Sequence, residues 1–122
     1  MDEEWLARFV IYSKWIRSSD QSIRPDAFIP PQNLQLSVTR HLGLSEAEIW
    51  QLGQAVADKR PARPYGRADL QAAEARRHSL HIEPEPIENN PNHAHITNWP
   101  ADKPTQKIIS LELSASAKFV PH

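Results

Sequence analysis

The chain has 122 residues, enough for one ordinary domain and too few for two. Apolar residues make up 39%, and 14 Lys and Arg stand against 15 Asp and Glu, so the net charge of −1 argues against a general polyanion binder. The absence of cysteine removes disulfides, thiolate nucleophiles and thiolate metal centres together.

The start, Met1-Asp2-Glu3-Glu4, is acidic where a secretion signal needs basic residues. The apolar run Phe9 to Tyr12 falls far below the roughly 20 residues of a membrane helix, so a soluble, cytoplasmic protein is expected. A modest apolar share implies a thin core, strengthened by four tryptophans that can each bury about 150–250 Å².

In chain order, Leu6 to Tyr12 admits two readings. Trp5, Phe9, Tyr12 and Ile16 fit one helical face behind the acidic Asp2 to Glu4. Phe9-Val10-Ile11-Tyr12 instead favours extended backbone, and a strand running into irregular chain is the preferred reading. Ile23 to Pro31 is expected to be extended, since residues before proline avoid the helical region. Leu34, Leu36 and Val38 alternate with polar residues as in a half-buried strand. Ser45 and Glu48 form a capping box, with Leu44 and Ile49 as its hydrophobic staple. Ile49, Leu52 and Val56 then share one face, which predicts a helix over 46–58. Gly53 inside it costs about 1 kcal/mol against alanine and marks a close packing contact.

Gly66-Arg67-Ala68-Asp69 reads as a tight turn with Asp69 capping a helix from Leu70 to Arg77. Leu80 to Glu83 and Ala94 to Trp99 read as short strands around the turn-rich stretch Pro84 to Asn92. Residues 109–119 alternate apolar and polar with a period of two, as a strand would. Their Leu, Glu, Ala, Ser and Lys composition, and the Asp102 to Pro104 start, instead predict a helix over 103–118. Together these elements predict a single α+β domain over 1–122: a short, mostly antiparallel sheet with two to three helices packed on one face.

Charge is unevenly placed. Lys59, Arg60, Arg63, Arg67, Arg76 and Arg77 form a basic block, followed by Glu83, Glu85, Glu88 and Asp102 without an intervening Lys or Arg. Two solvated loops explain this, as does a strip that meets phosphates, nucleic acid or an acidic partner.

The most chemically loaded stretch is Asn92-His93-Ala94-His95-Ile96-Thr97. On a strand, His93 and His95 share a face and can act as acid and base, or hold a metal with His78, His81 or Glu83 as third ligand. No third ligand is fixed by spacing, so no metal is expected. His95-Ile96-Thr97 resembles one half of the paired motif of the 2H phosphoesterases, whose chemistry needs two such motifs; a second is missing. His93-Ala94-His95-Ile96-Thr97 also resembles a stretch of RNA 2′-phosphotransferases, without the rest of that pattern. Arg40, Arg67, Lys103 and Lys107 are candidate anion or partner ligands that would gather around His93 if the fold brings them together. Trp99 before Pro100 is read as core, with a stacking platform as its alternative. Only 3 glycines are present, and none builds a phosphate loop, so no cofactor is expected.

The blocks Leu36-Ser37-Val38-Thr39-Arg40, Gly43-Leu44-Ser45-Glu46 to Ile49-Trp50-Gln51-Leu52-Gly53, Gly66-Arg67-Ala68, Asn90-Pro91-Asn92-His93-Ala94 and Trp99-Pro100-Ala101-Asp102-Lys103-Pro104 are similar to those of a group of small uncharacterised bacterial proteins. That resemblance implies a bacterial source and points to no particular activity. The functional expectation is a non-enzymatic accessory or binding protein of a bacterial multi-protein system, with a protein partner or a second copy of itself. The rival expectation is a small enzyme on a phosphate-containing nucleotide or RNA, using His93 or His95 and an Arg/Lys pocket.

Overall fold

Along Trp5–Val10 (β1) successive residues belong to two different apolar clusters. Leu6 and Val10 join the larger, Ala7 and Phe9 the smaller. Side chains of a strand point alternately to opposite faces, so β1 is buried on both sides and lies inside the fold. The computed structural model describes residues 4–57 and 64–122. In it β1 is followed by Leu36–Arg40 (β2), Glu46–Ala57 (α1), Gly66–Gln71 (β3), Ala72–Arg77 (α2), His81–Pro84 (β4), His93–Thr97 (β5), Lys103–Ser116 (α3) and Lys118–Pro121 (β6). The strands form one sheet in the order β4-β5-β2-β1-β3-β6, with every pairing antiparallel. The expected α+β architecture holds.

One face of the sheet carries the main core. Leu6, Leu36, Val38, Leu70, Ala94 and Ile96 meet Phe28 from a short 3-10 turn, Pro25–Phe28, and Ile109 and Leu113 from α3. Ser110 Oγ donates to the Phe28 carbonyl at 2.9 Å, fixing α3 against that turn. Ala72 and Ala75 bring α2 to the same face. Of the three α-helices among the described residues, α2 and α3 thus cover one face, while α1 lies on the other, where Ile49, Leu44 and Trp50 pack on Ala7 and Phe9.

The helix ends follow their caps. Ser45 N–H donates to Glu48 Oε1 at 2.9 Å and Glu48 N–H returns to Ser45 Oγ at 3.2 Å, satisfying two donors that the first turn leaves open. Asp102 accepts from the Thr105 N–H at 3.0 Å and from the Thr105 hydroxyl, with Pro104 in the first turn of α3. The side chain of Val56 and residues Lys59, Arg60 and Arg63 lie outside the described residues.

Several expectations are corrected. Asp69 caps nothing: Gly66–Gln71 is a strand, and α2 starts at Ala72 without a side-chain cap. Ile23 to Pro31 contains the Pro25–Phe28 turn rather than running extended throughout. Leu34 adopts a positive φ of 59°, so β2 begins at Leu36 and reaches Arg40. β1 stops at Val10, because Ser13–Trp15 turns back as a 3-10 helix. β4 is shifted by one residue, and β5 starts one residue before and ends two residues before its predicted bounds, because the Leu80 N–H still closes α2 on the Ala75 carbonyl and the Trp99 indole turns back to Ile96. α3 ends at Ser116, freeing Lys118–Pro121 to add the unforeseen β6 to the edge of β3. Among the described residues no helix is long and apolar enough to cross a membrane.

Gly53 faces the Phe9 ring, and a Cβ there would lie 2.6 Å from Phe9 Cε1 and 2.7 Å from Cδ1. Phe9 is 5% exposed and has little room to yield. Gly53→Ala is therefore expected to lower stability by about 1–3 kcal/mol through overpacking, outweighing alanine's helix preference of about 1 kcal/mol. Urea unfolding with an unchanged or raised midpoint contradicts this.

Candidate functional site

The register fixes where each candidate side chain stands. Leu6 pairs with Arg40 and Leu70, whereas Phe9 pairs with Arg67 and Ala7 with both Thr39 and Asp69. Arg40 therefore lies on the main-core face and Arg67 on the α1 face. His93 pairs with Thr39, and His95 with Ser37, which puts both imidazoles on the α1 face, three strands from Arg67. Lys103 and Lys107 are exposed on α3, across the sheet from His93. The fold brings His93 and His95 together and leaves Arg40, Arg67 and the neighbouring pair Lys103 and Lys107 in three separate places away from them.

Arg67 is occupied. Its Nε donates to Asp69 Oδ1 at 2.9 Å, and Nη2 and Nη1 donate to Glu46 Oε1 and Oε2 at 2.7 and 3.0 Å. The guanidinium lies over the Trp50 ring, 4.9 Å from its centroid, and the residue is 2% exposed. A bidentate fork of this kind is the strongest side-chain pairing that arginine makes. Hydrogen bonding from Arg67 holds the Glu46 carboxyl below its ordinary value. His41 Nε2 also stands 3.1 Å from Asp69 Oδ1. Arg40 is paired as well, with Nη2 at 2.6 Å and Nε at 2.9 Å from Glu4 Oε2. At the end of α2, Arg77 pairs with Glu74 at 3.1 Å.

The surface beside His93 is a small cleft. Its volume is about 170 Å³, and Ala7, Phe9, Thr39, Leu52, Asn90 and His93 are among its lining residues. Ala7, Phe9 and Thr39 are presented by the sheet, Leu52 by α1, and Ile87, Asn89 and Asn90 by the turn before β5. That turn is closed by reciprocal Ile87 and Asn90 backbone hydrogen bonds of 3.1 and 3.0 Å. Asn90 Nδ2 donates to Thr39 Oγ1 at 2.8 Å, and Asn92 Nδ2 donates to the carbonyls of Arg40 and Leu42, both at 2.9 Å. The Asn90-Pro91-Asn92 block is thus a clip that folds the turn onto β2. Arg8, the one permanent charge among the lining residues, sends Nε to the Ala27 carbonyl at 2.8 Å and its guanidinium over Trp15.

His93 Nδ1 lies 2.8 Å from the Glu85 carbonyl oxygen, which only accepts, so Nδ1 carries a proton and Nε2 of the neutral ring is the lone-pair nitrogen. The His93 and His95 rings meet edge to face with centroids 4.8 Å apart. Burial first, and then the neighbouring charge of His93, push the His95 imidazole below its ordinary value. Thr97 Oγ1 donates to Glu83 Oε2 at 2.5 Å. Among the described residues no group of three His, Asp or Glu side chains is placed to hold a metal. Trp99 is core, 6% exposed, with its indole N–H on the Ile96 carbonyl.

Thr39, Phe9, Leu52 and Asn90 are not among the site residues expected from the sequence. Thr39 reads as the outward position of an alternating strand, and only the turn folded over it makes it 2% exposed. The one available signal was the Asn-Pro-Asn run, a turn signature next to the two histidines. No family model, curated protein or solved structure matches this chain.

Truncating Arg67 tests the buried pair. Arg67→Met is expected to cost about 3–5 kcal/mol in urea unfolding, because Asp69 is left as an uncompensated buried charge; a loss under 1 kcal/mol contradicts the assignment. His95 supplies a second test. Its folded pKa lies below the ordinary 6.5, so the unfolded chain binds more protons between 6.5 and the folded value. Stability is expected to fall as pH is lowered through that window, and His95→Gln to flatten the slope there. An NMR titration placing His95 at or above 6.5 overturns this.

Proposed function

We propose that the chain is a non-enzymatic accessory protein of a bacterial multi-protein system, cytoplasmic, and acting through a protein partner that docks on α3. The observation that carries this is the inverted character of that helix. Its buried side includes Gln106, Ser110 and Ser114, while Ile108 and Leu111 are 60% and 53% exposed. Residues three apart are neighbours on a helix surface, so these two form one apolar spot. Lys103 and Lys107 stand beside it, exposed and without an ion pair among the described residues. A partner offering an apolar groove edged with carboxylates fits this surface.

The rival, an enzyme on a phosphate-containing substrate, needs free cations near His93. Arg40 and Arg67 are each held by carboxylates on opposite faces of the sheet, and the lysines belong to α3, across the sheet. The accessory reading uses the lysines where they are.

The test is purification of the tagged chain from its native host beside an Ile108→Glu/Leu111→Glu variant. Both positions are solvent-facing, so folding should survive, with Tm as the control. A stoichiometric partner is expected with the wild type, reduced about tenfold or more in the variant and weakened by salt. Recovery of monomer alone from the wild type, at low and moderate salt, overturns the reading.

A further inference from the structure

The cleft beside His93 is unused by docking on α3, which lies across the sheet from it. We infer that this cleft is a binding site for a small neutral heterocycle presenting a carbonyl next to an N–H, the lactam edge of a pyridone or pyrimidine ring. Thr39 decides the first half of this. It is 2% exposed, and its Oγ1 accepts from Asn90 Nδ2 at 2.8 Å. A hydroxyl also donates, and among the described residues nothing accepts the Thr39 proton. Buried donors are rarely left unused, and Thr39 lines the cleft. Its proton is therefore the donor offered to a ligand carbonyl.

His93 supplies the second half. It is the cross-strand neighbour of Thr39 and also lines the cleft. The Glu85 carbonyl fixes the proton on Nδ1, which leaves Nε2 as the acceptor for a ligand N–H. A donor and an acceptor on directly paired residues, about 5 Å apart at Cβ, match the adjacent acceptor and donor of a lactam. The remaining lining gives size and polarity. Phe9, Ala7 and Leu52 supply apolar contact, and about 170 Å³ is the size of space that accepts a single six-membered ring. The guanidinium of Arg8, a lining residue, is spent on the Ala27 and Ser37 carbonyls, so the cleft offers a phosphate or carboxylate no unengaged permanent cation. The ligand is neutral.

The probes are 2-pyridone, N-methyl-2-pyridone, benzene and inorganic phosphate, each titrated into the intact chain and followed by amide NMR shifts. Saturable shifts at Thr39 and His93 are expected with 2-pyridone. N-methyl-2-pyridone and benzene should bind about tenfold more weakly, since each loses at least one hydrogen bond that the site leaves unpaired. Phosphate should produce no saturable shift there. Thr39→Val should weaken 2-pyridone about fivefold or more, and benzene by less. Leu52→Trp, a half-buried position that closes the cleft without touching either polar group, should abolish both while the protein stays folded. The Ile108→Glu/Leu111→Glu variant should bind 2-pyridone as the wild type does, so this test and the partner test fail separately. No saturable shift with 2-pyridone overturns the site; equal binding of 2-pyridone and benzene overturns the lactam class; tighter binding of phosphate overturns its neutrality.

Discussion

The position of α1 rests on one buried cation. Arg67 leaves β3 on the face opposite the main core and is met by Asp69 from its own strand and by Glu46 and Trp50 from α1. Moving an ion out of water costs several kcal/mol even after relaxation, and only well-aligned partners return it. Here the fork to Glu46 is bidentate, Nε is on Asp69, and an aromatic face lies over the remaining surface. Glu46 and Trp50 are four apart and therefore on one side of the helix, with Ile49 beside them against Ala7 and Phe9. The ion cluster and the apolar contact fix the same helical face, so α1 has one orientation on the sheet.

That orientation determines what is left open. The smaller apolar cluster of α1 involves β1, and its ion cluster involves β3, leaving Ser37, His93, His95, Thr97 and Glu83 on the rest of that face. Two of the polar groups there are bonded laterally, Thr97 to Glu83 and His93 Nδ1 to the Glu85 carbonyl. The cleft sits at the boundary, where Leu52 ends the covered half and the clipped turn at Ile87 to Asn90 begins. A groove between a helix and an exposed sheet surface, with a few convergent polar groups, is a common form of small-molecule site.

Local signals made some elements legible in the sequence. The capping box at Ser45 and Glu48 specified a helix that starts at Glu46, and Gly53 pointed to a close contact that proved to be Phe9. Over 103–118, composition and the Asp102 start outweighed a perfect alternation, and the chain is helical from Lys103 to Ser116, with Lys118 already in β6. The same local reasoning failed at Gly66 to Leu70. A glycine, an arginine and an aspartate in five residues resemble a turn and a cap, because charged side chains are rarely placed in a doubly buried strand. They fit there only because Glu46, 21 residues upstream, returns to neutralise Arg67. A contact of that range leaves no trace in local pattern. The site followed the same rule: the histidines were visible as a paired motif, while Thr39 and Asn90 became interior only through a bond spanning 51 residues.

α3 shows how a thin core can be closed without spending every apolar residue on it. The Gln106 amide is satisfied by the Pro100 and Ala101 carbonyls, and the Ser110 hydroxyl lies between the carbonyls of Phe28 and Gln106. Small and hydrogen-bonded, these side chains lie between the larger contacts of Ile109 and Leu113 without an unmet polar group. The helix is held by two large residues and a row of satisfied polar ones, and Ile108 and Leu111 remain outside. Single exposed apolar residues need no explanation. A pair one turn apart, flanked by lysines without an ion pair among the described residues, on a helix whose inner face is partly polar, is a different case: exchanging inner and outer residues would deepen the core, and the chain instead keeps its apolar surface exposed.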